Sequence, residues 1–255
     1  MSTRVIVITG ASSGIGAATA EILAARGDAV VLVARRREAL ESVAARCHGR
    51  ALVVVADMTV RADVERVVAS TLEHFGHIDV WINNAGQGIS RMPSELTDDD
   101  IDAVMRANVK SALYGMQATL PHFTARGTGH VINVSSMLGR VPFAIIRSAY
   151  SGSKHFLNAL TMMFRAEVQA KHPGIQFSIV SPGVVRTDFG LNAIHGGPDS
   201  RSFPDSQSAE EVAEVFARVI DTRAPDVYTK PTAKAQIDAY YLVLGVGPEA
   251  GAKSD

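Results

Sequence analysis

The chain has 255 residues, of which 47% are hydrophobic and 20% charged, and its formal net charge is -1. This composition is typical of a folded globular protein, and the balanced charge gives no long-range attraction to nucleic acid or to a membrane surface. The one cysteine, Cys47, cannot form an internal disulfide, and no apolar run approaches the roughly 18 to 20 residues of a membrane span. Residues 1–9 lack the zones of a signal peptide, so we expect a soluble, cytoplasmic protein without stable membrane insertion.

Apolar, β-branched runs alternate with helical stretches along the chain. The first run, at 5–8, is apolar on both faces, as in a parallel sheet covered by helices. Thr97 and Asp100 have the spacing of a capping box that opens a long helix toward Phe123, and the segment 186–206 is predicted to be a mobile loop or lid. Other strands are predicted at 29–33, 51–55, 78–82, 130–134, 175–180 and near 227. Helices are predicted at 15–26, 37–47, 61–75 and 209–221, and a further helix contains Tyr150 and Lys154 and runs to about 170. This alternation predicts an α/β fold, a doubly wound parallel sheet with helices on both faces, in one domain over residues 1–255.

A glycine-rich turn follows the first strand and leads directly into a helix. Glycines let the backbone turn sharply and approach a ligand, and the helix N-terminus offers unpaired N–H groups and partial positive charge to a pyrophosphate. The G-x3-G-x-G spacing is not the G-x-G-x-x-G fingerprint, and a plain structural turn is the alternative. The predicted phosphate-binding residues are Gly10, Ser12, Ser13, Gly14, Ile15 and Gly16.

The residues after the second strand indicate which nicotinamide cofactor is used. An acidic residue there would accept a hydrogen bond from a free ribose 2′-hydroxyl, whereas arginine accommodates a 2′-phosphate. This chain has Arg35 and Arg36, and no acidic residue before Glu38. We therefore predict NADP(H) as cofactor, with Arg35 the better candidate and Arg36 the second. The alternative is a solvated first helical turn, although cations there oppose the helix dipole.

Tyr150 and Lys154 are four residues apart in a predicted helix, so they lie on one face. A tyrosine with a pKa of about 10 needs roughly 4 kcal/mol of help to act as a base near neutral pH. One positive charge at about 4 Å supplies on the order of 4 kcal/mol at an effective dielectric of about 20. A Tyr-x3-Lys spacing taken alone is more typical of solvated polar residues on a helix surface. Together with the other motifs of the chain, it predicts Tyr150 as the general acid/base and the Ser136 hydroxyl as the group that stabilises charge on the substrate oxygen. The hydride would pass directly to or from the nicotinamide.

The order of these motifs resembles the short-chain dehydrogenase/reductase family in its short, single-domain form. The resemblance extends over about residues 4–230 and implies a Rossmann-like fold and oxidoreductase activity. It also implies a homodimer or homotetramer built on the two long helices after the fourth and fifth strands. The matching motifs are the glycine turn, Asp57, Asn83-Asn84-Ala85-Gly86, Asn108, Ser136, Tyr150-x3-Lys154, and Pro182-Gly183 with Thr187.

The resemblance assigns further roles at these positions. Asp57 is expected to bind the adenine amine, with Met58 lending its backbone, and Asn108 to hold a water that links Lys154 to solvent. Asn83 and Asn108 could instead serve structure alone, and Ser136 stands 14 residues before Tyr150, about one more than is usual for the family. The remaining expected cofactor contacts are Asn83, Asn84, Ala85 and Gly86 on the ribose side, and Pro182, Gly183, Val185 and Thr187 near the nicotinamide and diphosphate.

The residues expected around the reacting carbon are mostly apolar. Such a pocket favours a hydrophobic ketone over a sugar, and Gln87 and Arg147 could add polar contacts that the sequence does not assign. The eight histidines show no pairing at zinc-ligand spacing, so no metal is expected. The apolar run 240–244 is expected to pack on the body or on another subunit, with weak membrane association as the alternative. The predicted substrate contacts are Met137, Leu138, Phe143, Ile145, Ile146, Phe189 and Leu191.

The prediction is thus an NADP(H)-dependent enzyme that interconverts a small-molecule carbonyl, a hydrophobic ketone, and a secondary alcohol. Two alternatives remain from the sequence. One is a non-catalytic NADP(H)-binding regulator, because a fold does not fix a function. The other is an epimerase or dehydratase of related fold.

Overall fold

Seven parallel strands form a single sheet in the computed structural model, which describes residues 3–243. The strand order is β3-β2-β1-β4-β5-β6-β7, and every neighbouring pair is parallel. The chain runs outward from β1 to β3, returns to place β4 beside β1, and then runs outward on the other side. Ligands bind at such a switch point, outside the carboxyl ends of the strands. The strands are β1 Val5–Thr9, β2 Ala29–Ala34, β3 Ala51–Val55, β4 Val80–Asn83, β5 Gly129–Val134, β6 Ile175–Ser181 and β7 Asp226–Tyr228.

Helices cover both faces of this sheet, because alternate strand residues point to opposite sides. Ile6 and Ile8 of β1 belong to one core cluster, with residues of α1, α2 and α7. Val5 and Val7 belong to the other, with residues of α3, α5 and α6. The predicted doubly wound sheet is confirmed. The helices are α1 Gly14–Ala25, α2 Arg37–Ala45, α3 Arg61–Phe75, α4 Asp98–Met105, α5 Ser111–Arg126, α6 Ser148–Gln169, α7 Ala209–Thr222 and α8 Ala233–Val243.

The long helix predicted from Thr97 toward Phe123 differs from the observed one. Its start is confirmed: the Thr97 side chain accepts from the Asp100 backbone N–H, and the Asp100 carboxylate accepts from that of Thr97. Between α4 and α5, however, the chain forms a π-helical turn, Arg106–Lys110. The predicted helix is therefore one uninterrupted helical run with a wider turn in its middle, and Asn108 on that turn is buried.

The C-terminal helix α8 packs beside the end of β5. The Tyr241 hydroxyl donates to the Arg140 carbonyl at 2.6 Å, and the Tyr240 ring meets Phe143 edge-to-face at 5.2 Å between centroids. For these two tyrosines the predicted packing on the body is confirmed, whereas Leu242 and Val243 are exposed. Residue 244 of the predicted apolar run lies outside the described residues. Over residues 3–243, no helix combines the length and apolar character needed to cross a membrane.

Candidate active site

The glycine turn lies at the carboxyl end of β1, beside the loop that follows β4. Gly14 has a φ of +56°, and a Cβ at Gly16 would collide with the carbonyl of Gly10. Ser13, the residue before α1, makes no side-chain capping bond, so the first N–H groups of the helix stay available to a ligand. Thr187 lies against the turn, its Cγ2 3.1 Å from where a Cβ of Gly14 would be. The structure thus brings together residues that the sequence assigned to diphosphate binding from opposite ends of the chain.

The side chains of the two asparagines at the end of β4 form hydrogen bonds within the protein. Asn84 donates to the Thr9 carbonyl at 2.9 Å, and the Thr9 hydroxyl accepts from the backbone of Asn84 and of Ala85, each at 3.0 Å. Asn83 is buried, donates to Asn133 at 2.8 Å and accepts from Trp81 at 2.7 Å. The core therefore uses the Asn83 amide, which favours the structural alternative that the sequence left open, and a ribose contact at this position stays a prediction. Thr9 is a supporting residue that the sequence analysis missed.

Two exposed arginines follow β2, next to the glycine turn. The Arg36 guanidinium lies 3.5 Å from the Ser12 hydroxyl, so it leans over the turn. Neither Arg35 nor Arg36 forms a salt bridge within residues 3–243, whereas Arg37 pairs with Glu41. Both guanidinium groups can therefore take an anionic partner, and the contact with Ser12 favours Arg36 more than the sequence suggested.

Asp57 and Met58 stand at the end of β3. One oxygen of the Asp57 carboxylate accepts from both the backbone and the hydroxyl of Thr59, at 2.9 and 2.8 Å. Met58 is buried, and Asp57 is half-buried. The Asp57 carboxylate is thus held in place at the sheet edge where an adenine ring was predicted.

Tyr150 and Lys154 lie one turn apart on α6, and both are buried. The Lys154 ammonium donates to the Val134 carbonyl at the end of β5, at 2.8 Å, and stands 5.7 Å from the centre of the Tyr150 ring. Ser136 follows β5, and its hydroxyl accepts from the Leu138 backbone at 3.1 Å. The extra residue before Tyr150 lies in a stretch with two short 3₁₀ turns, Met137–Gly139 and Ile145–Arg147.

Burial dominates the protonation of this pair. It raises the pKa of Tyr150 to about 12, opposed by the nearby Ser136 hydroxyl and the charge of Arg147. It also lowers the pKa of Lys154 to about 8. Lys154 by itself therefore does not bring the Tyr150 pKa toward neutrality, and the predicted acid/base role, to which a cationic nicotinamide ring would add, stays a prediction. The ammonium is bonded to a backbone carbonyl, and desolvation of the phenolate outweighs its attraction. At neutral pH Tyr150 is a phenol that can donate its proton.

Asn108 sits on the π turn and connects the β4 loop to α6. Its carbonyl oxygen accepts from the Gln87 backbone at 2.7 Å, and its amide donates to the Gln87 carbonyl at 2.9 Å and to the Ser153 hydroxyl at 3.0 Å. Ser153 in turn donates to the carbonyl of Tyr150 at 2.7 Å. Asn108 and Ser153 are therefore positioning residues for the loop and helix that carry the chemistry. The low helix propensity of asparagine was the sequence signal for Asn108; nothing marked Ser153.

The segment 186–206 lies over the β4 loop. Ile194 forms a bridge to Ile89, and the two are packed in one cluster with Tyr150. The Asp100 carboxylate accepts from His195 at 2.7 Å and from Arg91 at 2.9 Å. These contacts hold the pKa of Asp100 well below its usual range, and the hydrogen bond from His195 has the largest effect. The predicted mobility of the segment stays a prediction, and its contacts position it at the substrate end of the site.

The predicted substrate residues divide into two groups. The Phe189 ring meets Tyr150 edge-to-face at 5.6 Å, and Leu138 packs in the Tyr150 cluster. Met137 instead packs under α8, and Phe143 is 52% exposed and rests on Tyr240. The expected contact of Phe143 with the reacting carbon is corrected to a contact with α8, a helix whose position the sequence pattern did not give. Of the other candidates, Ile145 and Leu191 are exposed and Ile146 is half-buried.

Comparison with known proteins agrees with this geometry. Residues 4–195 match the protein family described as short chain dehydrogenase. The chain belongs to this family. An uncharacterised oxidoreductase of Staphylococcus epidermidis is 35% identical to this short-chain dehydrogenase over 184 residues, 72% of this chain and 79% of the relative.

Solved structures support the fold. A short-chain dehydrogenase/reductase from Burkholderia phymatum in complex with NAD superimposes with a TM-score of 0.86 at 24% identity, over 96% of each chain. An alcohol dehydrogenase from Thermococcus sibiricus complexed with 5-hydroxy-NADP gives 0.77 at 27% identity, over 89% of this chain and 96% of that one. This short-chain dehydrogenase is an oxidoreductase with an NAD(P)-binding fold. The ligands of the two neighbours differ in the phosphate that distinguishes NADP from NAD.

Proposed function

We propose that this short-chain dehydrogenase is NADP(H)-dependent and interconverts a hydrophobic ketone and a secondary alcohol, with Tyr150 as general acid/base. The observation that carries the proposal is the buried Tyr150 phenol at the carboxyl edge of the sheet. Ser136 and Lys154 stand beside it, and the glycine turn lies two strands away. A protein that only senses a nucleotide has no need of this buried trio, which favours an enzyme over a regulator.

The residues present fit a dinucleotide phosphate. The turn has no Cβ at Gly14 or Gly16, and α1 begins there without a side-chain cap. Arg35 and Arg36 stand at the end of β2 and would hold the 2′-phosphate. When bound, the nicotinamide supplies or accepts the hydride. The other predicted contacts, Asp57, Ala85, Gly86, Gly183, Val185 and Thr187, lie at the same edge of the sheet or in the loops after it.

Within the chain, the chemistry is the movement of one proton. With its pKa raised to about 12, Tyr150 is protonated at neutral pH and can donate to a carbonyl oxygen as the hydride arrives. The Ser136 hydroxyl stabilises the charge that develops on that oxygen. The phenolate left behind stands 5.7 Å, measured to the ring centre, from the Lys154 ammonium, an attraction of about 3 kcal/mol at an effective dielectric of about 20. This arrangement favours reduction as the direction at neutral pH.

The decisive test follows NADPH oxidation by the purified protein with ketones of increasing apolar size. Tyr150→Phe should bind NADPH as the wild type does and lose roughly 100- to 10,000-fold in turnover, the contribution of a general acid. Tyr114→Phe, on α5 and outside the site, is the matched control and should keep its activity. Unchanged turnover in Tyr150→Phe refutes the acid/base role. NADPH binding with no turnover of any ketone would support a regulator instead, and substrate conversion without net NADPH oxidation an epimerase.

We also propose that α6 joins two copies of the chain. Phe156, Met162 and Met163 of this helix are 51%, 45% and 61% exposed, an apolar set that water disfavours on a helix face. Light scattering should give a mass of at least two chains for the wild type. A lower mass for Met163→Glu is expected, and an unchanged mass would place the interface elsewhere.

A further inference from the structure

Arg147 stands three residues before Tyr150 without an acidic partner. It closes the 3₁₀ turn Ile145–Arg147, and burial lowers the pKa of its guanidinium. Within residues 3–243 the guanidinium forms no salt bridge, and its one hydrogen bond is from Nη1 to the carbonyl of Ile89 at 3.2 Å. A half-buried cation without a counter-charge is unfavourable. The side chain therefore carries a charge that the fold itself leaves unbalanced.

The acidic residues that could neutralise Arg147 are bound elsewhere. In the segment over the site, Asp188 and Asp199 both pair with Arg201. Asp100 pairs with Arg91 and His195. The carboxylates around this end of the molecule are thus used by other cations.

Two glycines leave room for the Arg147 guanidinium. A Cβ at Gly88 would lie 2.8 Å from Nη1, and one at Gly197 would lie 2.8 Å from Nη2. The Ser90 hydroxyl lies 2.7 Å from that same Cβ position of Gly197, is buried, and has no hydrogen-bond partner in the part of the chain described. Nε and Nη2 of Arg147 also make no hydrogen bond there, yet neither is fully enclosed. Two guanidinium nitrogens of Arg147 therefore keep N–H groups that are unused and accessible to a ligand.

The Arg147 guanidinium lies near the Tyr150 phenol. Phe189 reaches to 3.1 Å from the Cβ position of Gly88, next to Arg147, and its ring meets the Tyr150 ring at 5.6 Å. The charge of Arg147 lowers the pKa of Tyr150, partly offsetting burial, as proximity requires. The hydrophobic residues packed in one cluster with Tyr150 include Ile89 and Leu138. Arg147 is thus a cation beside an apolar cluster, and Lys154 is a second cation near the phenol.

We propose that Arg147 binds a carboxylate carried by the substrate, so that this enzyme reduces a keto acid with an apolar chain rather than a neutral ketone. The inference rests on the proposed carbonyl reduction. A guanidinium with free nitrogens matches the planar carboxylate fork, and one negative charge balances that of Arg147. A phosphate would bring about two charges, one more than the guanidinium balances.

The test compares keto acids with their primary amides as substrates. A series with the carboxylate two to six carbons from the ketone covers the span from Tyr150 to Arg147, and each amide keeps the shape while losing the charge. For the wild type, the ratio of kcat/KM for acid over amide should reach roughly 10- to 100-fold at the best length, as a charged hydrogen bond provides. In Arg147→Gln the ratio should fall to about one. Both substrates share any effect of the substitution on Tyr150 or on folding, so the ratio isolates carboxylate binding.

Arg140→Gln is the matched control, because the Arg140 guanidinium is paired with Asp226 and stacks on the Tyr228 ring. It should leave the ratio at the wild-type value. A wild-type ratio near one, or the same ratio in Arg147→Gln as in Arg140→Gln, overturns the proposal.

Binding separates this inference from the proposed reaction. In Tyr150→Phe with NADP⁺ present, calorimetry should find the best keto acid bound at least tenfold more tightly than its amide, and the added Arg147→Gln change should remove the difference. If no ketone is turned over but this preference persists, the catalytic proposal fails and the Arg147 site stands. Equal binding of acid and amide, with neutral ketones turned over, overturns the Arg147 site and leaves the catalytic proposal in place.

Discussion

Replacing Lys154 by methionine removes a buried charge from the centre of the site. The ammonium stands 5.7 Å from the Tyr150 ring centre, where it offers the phenolate about 3 kcal/mol at an effective dielectric of about 20. Loss of this attraction corresponds to roughly 100-fold in kcat/KM for the proposed reaction. In the alcohol-oxidising direction, the rates at pH 7 to 9 should fall by a similar factor, because Tyr150 must then ionise without help.

The same substitution should lower activity but not stability at pH 7, and it should remove one pH-dependent contribution to the stability of the fold. The Lys154 pKa is lowered from 10.5 to about 8, so between these values the folded protein binds fewer protons than the unfolded chain. The wild type therefore gains stability from this group as pH rises, about 1 kcal/mol between pH 7 and 9. Methionine cannot titrate and shows no such gain. At pH 7 Lys154→Met should be as stable as the wild type or more so, since loss of the bond to the Val134 carbonyl offsets part of the relieved burial cost.

Urea unfolding at pH 7, 8 and 9 and initial rates at the same pH values measure both effects. Lys171→Met, just beyond α6 and exposed, is the control and should match the wild type in both. Activity of Lys154→Met within threefold of wild type would refute the electrostatic role. A stability difference that does not change between pH 7 and 9 would refute the assignment of a depressed lysine pKa.

Two other sets of substitutions test the end of β2 and the segment 186–206. Reversal of charge at the end of β2, by Arg35→Asp or Arg36→Asp, should lower the kcat/KM ratio of NADPH over NADH by at least tenfold; an unchanged ratio in both variants contradicts the cofactor proposal. Asp100→Asn removes the charge that holds His195, so limited proteolysis should cleave the segment 186–206 severalfold faster than in the wild type at pH 7. Equal cleavage rates would mean that the bridge between the two loops suffices to hold the segment.

The sequence predicted what depends on local pattern. The buried strands are short β-branched runs, and the capping box at Thr97 is a four-residue motif, so each is encoded by neighbouring residues. The positions of Tyr150 and Lys154 on one helical face follow from helix geometry alone. These features needed no knowledge of what packs against them.

Features set by distant contacts were missed. The Lys154 ammonium is directed by a carbonyl 20 residues earlier in the chain, and the Asn83 amide by Asn133, 50 residues away. Nothing near Phe143 indicates that α8 covers it. Arg147 was only a possible polar contact in the sequence, because its lack of an acidic partner depends on where every carboxylate in the fold lies.

Because of the π turn between α4 and α5, the position of Asn108 depends on the number of residues in this helical run. A π turn closes i→i+5 hydrogen bonds and so holds one residue more than an α turn, and removing one residue from Arg106–Lys110 would tighten it to an α turn. The flanking helices could then keep their packing, including Phe123 in the core, but Asn108 would lose the wider turn that places it against Gln87 and Ser153. A one-residue deletion there would therefore remove the loop anchor before it removes the packing.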